Sequence, residues 1–497
     1  MKRLLALSLA VLATSLEAAS GTDYSLTIYS RAQPGAVDPA LYRPGRYQSG
    51  TVPGYAVVRQ TQSENLAEGI SQLRVQDVAS LIDPTTVSMR SLQDEGSVRV
   101  LEQNFEFDLV SSDKLLDRYL DRSITVVRDA GESATRITGT LLSTDGGLVL
   151  RLPDGTVQIV TRYSEAILPE LPGGLITRPT LVWQVQAAQA GARDLQISYQ
   201  TEGMTWWTDY NATLDDEQGC SLDLNAWVSI VNQAGAGFPE ARLKLIAGDV
   251  QRVDQPDPRV AMERVTMAKD QGEAGFQEQP FFEYHLYTLP RRTSIPNNST
   301  KQLELFPAAP GVPCSREYIH DTGGFFPAYF SEPVLDRHPG WMTDRNDVAV
   351  YLAFRNDTAS KLGMPLPAGR LRVNKLDRAD GSLEFVGEDV LEHTPRDEDV
   401  RVRLGNAFDI VVERRQTDFH VDTQSKTMRE SFELELRNHK ETSVTVQLRE
   451  VLYRWANWKV IQSSHDFETL DARSIQFPVS MEPDQTKTVR YEVQYTW

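Results

Sequence analysis

The chain is expected to be mostly β: several antiparallel β-sandwich domains of immunoglobulin-like type, a small β-barrel-like module and one short helix. The first observation behind this is a unit that occurs three times, in which an alternating apolar run ends on Asn. The runs are Val228, Ile230, Asn232 before Leu243 and Leu245; Val350, Leu352, Phe354, Asn356; and Phe432, Leu434, Leu436, Asn438 before Val444, Val446 and Leu448. On a period of two, each Asn shares the core-facing side of its strand. There its amide can bond the turn backbone, so the chain reverses without leaving buried amides unpaired. The second observation is that apolar runs are short, alternating and punctuated by 26 Pro and 31 Gly, whereas helical spacing occurs once.

Met1, Lys2 and Arg3 open the chain with charge, Leu4 to Leu16 form an apolar run, and Ala18, Ala19 and Ser20 are small; residues 1–20 read as a secretory signal peptide. No Cys follows to suggest a lipid anchor, and no later run nears the roughly 18 apolar residues of a membrane helix. Residues 21–54, rich in Pro, Gly, Arg and Tyr, read as an extended lead-in. Short alternating runs over 55–110, around the turn Ile82-Asp83-Pro84-Thr85, predict a small sandwich.

Over 111–178, Ser112 is placed as the cap of the short helix, with Leu115, Leu116, Tyr119 and Leu120 at helical spacing and Asp113 at the positive end of the dipole. Four short runs follow, separated by Asp145-Gly146-Gly147 and Pro153-Asp154-Gly155, turns suited to positive φ; this is the barrel-like module. Residues 179–400 form a central sandwich region whose polar stretch 251–280 reads as a flexible excursion. Residues 401–497 read as a carboxy-terminal sandwich. Its last strand, Val489 to Trp497, alternates like the final strand of an outer-membrane barrel, but segments elsewhere are too short for lipid-spanning strands.

With 51 Lys and Arg against 69 Asp and Glu, the net charge of −18 argues against nucleic acid and anionic membrane surfaces as partners. The only cysteines are Cys220 and Cys314. Export would permit a disulfide between them; spacing alone leaves open that they are two small buried hydrophobes.

The run Tyr199 to Tyr210, together with Ala226-Trp227-Val228, Leu243 to Val250, Phe282 to Tyr287, Lys301-Gln302, Leu362 to Gly369 and Tyr491 to Trp497, resembles the bacterial domain-of-unknown-function 4139 family, related to mucoidy-inhibitor-A-like proteins. The resemblance spans roughly residues 180–497. Tyr55 to Val100 is similar to the amino-terminal domain that accompanies it, although the long coiled coil of many relatives has no counterpart here. The resemblance implies an exported, mostly β protein without established catalysis, and it supplies no catalytic residues.

The chain carries no GxSxG elbow, phosphate loop, HExxH, paired CxxC or EF-hand series. Its seven His lie too far apart for metal-ligand spacing, so no metal and no cofactor are expected. The best polar constellation is Glu283 with His285, which share a strand face and could serve proton transfer or ligand contact; polar side chains on a solvent face would look the same. Trp206 and Trp207, and Trp455 and Trp458 near Tyr453, could offer flat rings to sugars. Adjacent Trp206 and Trp207 face opposite sides of a strand, so at least one belongs to the core. The resulting expectation is an exported bacterial envelope protein, in the periplasm or on the outer surface, acting as a non-catalytic binding or structural module for an envelope protein or glycan. The competing expectation is a hydrolase of an envelope or carbohydrate substrate.

Overall fold

A computed structural model describes residues 22–30, 52–94, 96–107, 110–130, 133–170, 172, 175–216, 219–248, 276–281, 284–322, 332–339 and 346–497. Within these the chain is mostly β, with several separate antiparallel sheets and one short helix. The signal peptide expected at 1–20 lies outside the described residues. No helix among them is long and apolar enough to cross a membrane.

Two large sheets dominate. In the first, Asp23–Ser30 runs between Gly54–Leu66, antiparallel, and Phe238–Ala247, parallel, with Gly191–Glu202 and Ile82–Ser91 continuing the order outward. The lead-in expected at 21–54 is therefore corrected at its start: Leu26 and Ile28 are fully buried on an interior strand. Tyr24, Leu26 and Ile28 do alternate, but the run stands alone among Pro- and Gly-rich sequence, and the strand that covers its other edge, Phe238–Ala247, lies far along the chain.

The second, central sheet runs in the order Leu383–Leu391, Gly369–Leu376, Met204–Asp215, Ser221–Asn232, Ser299–Asp321, and then Val444–Val451 and Ser474–Met481. One continuous core joins the two. It takes Leu26, Val58, Ile197 and Leu243 from the first sheet, Trp206, Tyr210, Val228 and Leu371 from the central one, and Trp183 from the small sheet in which Thr180–Ala187 lies between Gly69–Gln76 and Val98–Glu106. The separate sandwich expected over 55–110 has no core of its own, because Leu73, Val75 and Ile82 bury into this shared one. Each such fully buried aliphatic side chain contributes about 1.5–3 kcal/mol, and that gain depends on the later segments that cover it.

The module at 111–178 keeps its own core of Leu116, Tyr119, Ile124, Val126, Leu141 and Leu150. Its helix is Ser112–Arg118, capped by Ser111 rather than Ser112: Ser111 Oγ accepts from the Lys114 amide at 3.3 Å, which leaves Ser112 inside the first turn. Gly146 and Gly155 have φ of 70° and 87°, as their turns require. The five strands follow the order Glu165–Ile167, Ser123–Ala130, Ser133–Ser143, Leu148–Arg151, Val157–Val160, an open sheet and not a closed barrel. Strands of three or four residues at both edges are too short to meet and close a ring.

At the carboxy-terminal end, Ile410–Asp422, Thr427–Asn438, Thr486–Thr496 and Trp458–Ser463 form a four-stranded sheet that packs against the far end of the central sheet. The core between them includes Phe432, Leu436, Val446, Phe477 and Tyr491, and also Tyr318 and Val348, so the unit draws on residues well before 401.

The three Asn residues are at most 1% exposed, and each sits where the chain leaves one strand for another with which that strand does not pair. Asn232 Nδ2 donates to the carbonyls of Ala236 and Pro296, and its Oδ1 accepts from the Ala234 amide. Asn356 Nδ2 donates to Met364 and Pro395 carbonyls while Oδ1 accepts from Gly363 N. Asn438 Nδ2 donates to Thr442 and Glu482 carbonyls at 3.1 and 2.9 Å, and Oδ1 accepts from Lys440 N. The turns are thus corners between layers rather than hairpins, and the amide replaces ladder bonds that a hairpin would have made. Asn438→Ala should cost about 1–3 kcal/mol, since it removes a buried side chain's bonds to two part-buried carbonyls and an amide. An unchanged midpoint and slope in urea unfolding would show that water takes over those bonds.

The excursion over 251–280 is shorter at its end than expected. Gln277–Phe281 is an edge strand on Tyr284–Thr288, and Phe276 is buried in the shared core. Pro280 is tolerated because an edge strand has one side without a ladder partner. Residues 251–275 lie outside the described residues. Cys220 and Cys314 form a disulfide with Cα atoms 4.9 Å apart, beside a Cys314 amide bond to the Cys220 carbonyl.

Candidate functional site: a polar cleft on the central sheet

Met204–Asp215 alternates, yet both of its faces are covered. Met204, Trp206, Tyr210, Ala212 and Leu214 turn into the shared core. The opposite face carries Trp207, Asp209 and Asn211, and here register does what sequence proximity does not. Asp209 lies opposite Arg370 on one side and Trp227 on the other, with Glu304 beyond Trp227, so four strands contribute one row. Trp207, Ser229 and Gln302 make a second row, and Arg372, Asn211 and Asn225 a third. The side chains of the first two rows other than Glu304, with Asn211, Arg372 and Thr300, line an open cleft of about 440 Å³. A volume of that size suits a sugar unit or another small polar ligand.

Asp209 organises the floor. Its Oδ2 accepts from Trp207 Nε1 at 2.8 Å and from Ser229 Oγ at 3.1 Å, and Gln302 Nε2 in turn donates to Ser229 Oγ. Its Oδ1 faces Arg372 Nη1 at 3.5 Å and Arg370 Nη2 at 3.8 Å. Arg372 Nε also reaches Glu388 at 3.3 Å on the rim. Arg370 is held less closely: its nearest carboxylates are 3.8 and 4.0 Å away, and its Nε is buried without a hydrogen-bond partner among the described residues. Trp227, at 40% exposure, is the ring that the cleft presents to solvent.

Of the sequence candidates, Trp206 is corrected outright. It is buried in the core, edge-on to Tyr287 with ring centroids 6.3 Å apart, because its even-numbered side of the strand faces the first sheet. Trp207 does line the cleft, but as a wall 8% exposed rather than an open platform. Tyr453 is buried, and Trp455 and Trp458 pack against the carboxy-terminal core. Glu283 lies outside the described residues. His285 instead pairs with Glu278, Nδ1 to Oε1 at 2.8 Å, across the edge hairpin and away from the cleft's lining. Asp209, Trp227, Arg370 and Arg372 were not foreseen as a site. The alternation Trp207, Asp209, Asn211 on a strand whose other face is largely apolar, and Arg370, Arg372 around buried Leu371, were the available signals.

Fold and cleft together define a mostly β protein with a polar groove, built of aromatic, amide and guanidinium groups, on its central sheet. Residues 195–497 match the family described as a domain of unknown function, DUF4139, and the chain belongs to that family. No curated protein matches it, and no solved structure does.

Proposed function

We propose that this chain is an exported bacterial envelope protein that acts without catalysis, and that the central-sheet cleft binds a glycan. The observation that carries this is the half-exposed Trp227 ring beside fixed donors and acceptors from Asn211, Ser229, Gln302 and the two arginines. A pyranose offers an apolar C–H face to a flat ring and hydroxyls around its rim, and this pairing of one aromatic surface with convergent polar groups meets both. The charged start and small-residue end of residues 1–20 and the Cys220–Cys314 disulfide support export.

Against a hydrolase stands the state of the cleft's carboxylate. Asp209, the single carboxylate in the cleft's lining, is held by Trp207 and Ser229 and faces Arg372, whereas glycoside hydrolysis ordinarily uses a pair of carboxyl groups flanking the bond to be broken. Trp227→Ala should weaken glycan binding by about tenfold or more in calorimetric titration, equivalent to losing ~1.4 kcal/mol, while thermal unfolding stays as in the wild type. Incubation of the same glycans with wild type should release no new reducing ends. Binding indifferent to Trp227→Ala would move the site elsewhere, and steady release of reducing ends would favour the hydrolase.

A further inference from the structure

Building on the glycan-binding reading of the cleft, we infer that its ligand is an acidic sugar chain whose carboxylate is received by Arg370. Arg370 has donors in search of an acceptor. Its Nε is buried and unpaired among the described residues, and its terminal nitrogens stand 3.8 Å from Asp209 and 4.0 Å from Glu388, too far for hydrogen bonds. The Arg370 side chain is 23% exposed and lines the cleft, so its terminal nitrogens, short of an acceptor at hydrogen-bond distance, can meet a ligand there. Asp209 does not close the gap, because Trp207 and Ser229 hold its other oxygen in place. A carboxylate presents two oxygens in the spacing that a guanidinium fork matches, which a neutral hydroxyl does not.

The row across the sheet also sets a direction. From Arg370 the order is Asp209, Trp227, Glu304, one residue per strand. Trp227 is therefore two strand spacings from Arg370, ~10 Å, and Glu304 three, ~14 Å. An anionic group is favoured at the Arg370 end and opposed at the Glu304 end. A uronate held at Arg370 thus places the next sugar unit or two over Trp227. Within the cleft lining, Arg370 and Arg372 face the single carboxylate of Asp209, while Glu388, outside that lining, stands closer to Arg372 than to Arg370, at 3.3 Å against 4.0 Å.

The test is calorimetric titration of the full chain with short oligosaccharides of galacturonate and of glucuronate, the same oligosaccharides with their carboxyls methyl-esterified, and neutral oligosaccharides of equal length. An uronate should bind, and methyl-esterification should weaken it by about tenfold or more, since a charge-assisted pair is lost. Arg370→Gln should bind acid and ester alike, while Arg370→Lys should keep part of the preference; the ester comparison on wild type needs no variant to fold. If acidic, esterified and neutral sugars bind equally and Trp227→Ala abolishes all of them, the cleft is a glycan site that does not read charge, and this inference alone fails. If no sugar binds, both readings fail. Binding of a peptide with a free terminal carboxylate, but not of its amide and not of any uronate, would overturn the inference in favour of a peptide site.

Discussion

Arg454→Met is expected to cost about 3–5 kcal/mol of stability, more than any other single change considered, because it leaves a buried charge without its partner. Arg454 is 0% exposed and Glu430 1%. The guanidinium donates through Nε to Glu430 Oε2 at 2.6 Å and through Nη1 and Nη2 to the carbonyls of Val334, Asp336 and Arg337. It also lies 4.2 Å from the Phe419 ring centroid. Glu430 is completed by Tyr495 Oη at 2.9 Å and Gln416 Nε2 at 3.0 Å. Burial, and then the Glu430 charge, push the Tyr495 phenol well above its ordinary value, so it remains a neutral donor and cannot replace the missing cation. The expected result is a lower urea midpoint together with faster protease cleavage near 332–339, the segment that three of these bonds hold down. The double variant Arg454→Met, Glu430→Gln should recover much of the loss, since the stranded charge is then gone. A single variant within about 1 kcal/mol of wild type would mean that water reaches Glu430.

A second pair of the same kind lies nearby. Arg414 donates to Glu450 at 2.9 Å and stacks 3.8 Å from the Phe432 centroid, and Tyr491 donates to Glu450 at 2.6 Å. Burial alone would lower the Arg414 pKa, but Glu450 overrides it and holds the guanidinium charged. Two satisfied ion pairs inside one small sandwich fix which strands face each other, because a shifted register would leave all four charges unpaired.

Much of the fold was legible from local pattern. The Asn232, Asn356 and Asn438 corners could be read because a polar residue in phase with core positions needs a buried partner, and a turn backbone is the nearest supply. The glycines at 146 and 155 were readable for a similarly local reason. What escaped was whatever depends on pairing between distant segments. Asp23–Ser30 looks like a lead-in until Phe238–Ala247 lies beside it. The cleft escaped for the same reason: Trp207 to Asn211 can be seen to alternate, but nothing in that stretch says that residues 370 and 372 will be its neighbours on one side and Trp227 on the other. The ion pairs were hidden too, since Glu430 and Arg454 in sequence look like any charged residue on a strand edge.

The disulfide offers the second large effect. Cys220 and Cys314 close a loop of 94 residues that contains the Asn232 corner, strand Phe238–Ala247 of the first sheet, and the start of the long strand Ser299–Asp321. The crosslink therefore ties together elements from both large sheets through one chain segment. In the chain-entropy account a loop of this length stabilises by about 4–5 kcal/mol, and removal of native disulfides generally costs about 2–5. The double variant Cys220→Ser, Cys314→Ser should thus lower stability by about 2–5 kcal/mol, and reductant should shift the wild type by a like amount without shifting the variant. The loss should fall on the shared core rather than on the module at 111–178, whose core contains neither cysteine. Hydrogen exchange separates the two: amides of Ser221–Asn232 and Phe238–Ala247 should lose protection while those of Ser123–Ala130 keep theirs. Equal stability with and without reductant would mean that packing of Leu222, Leu224 and Val312 around the bridge already restricts the loop, leaving the crosslink nothing to add.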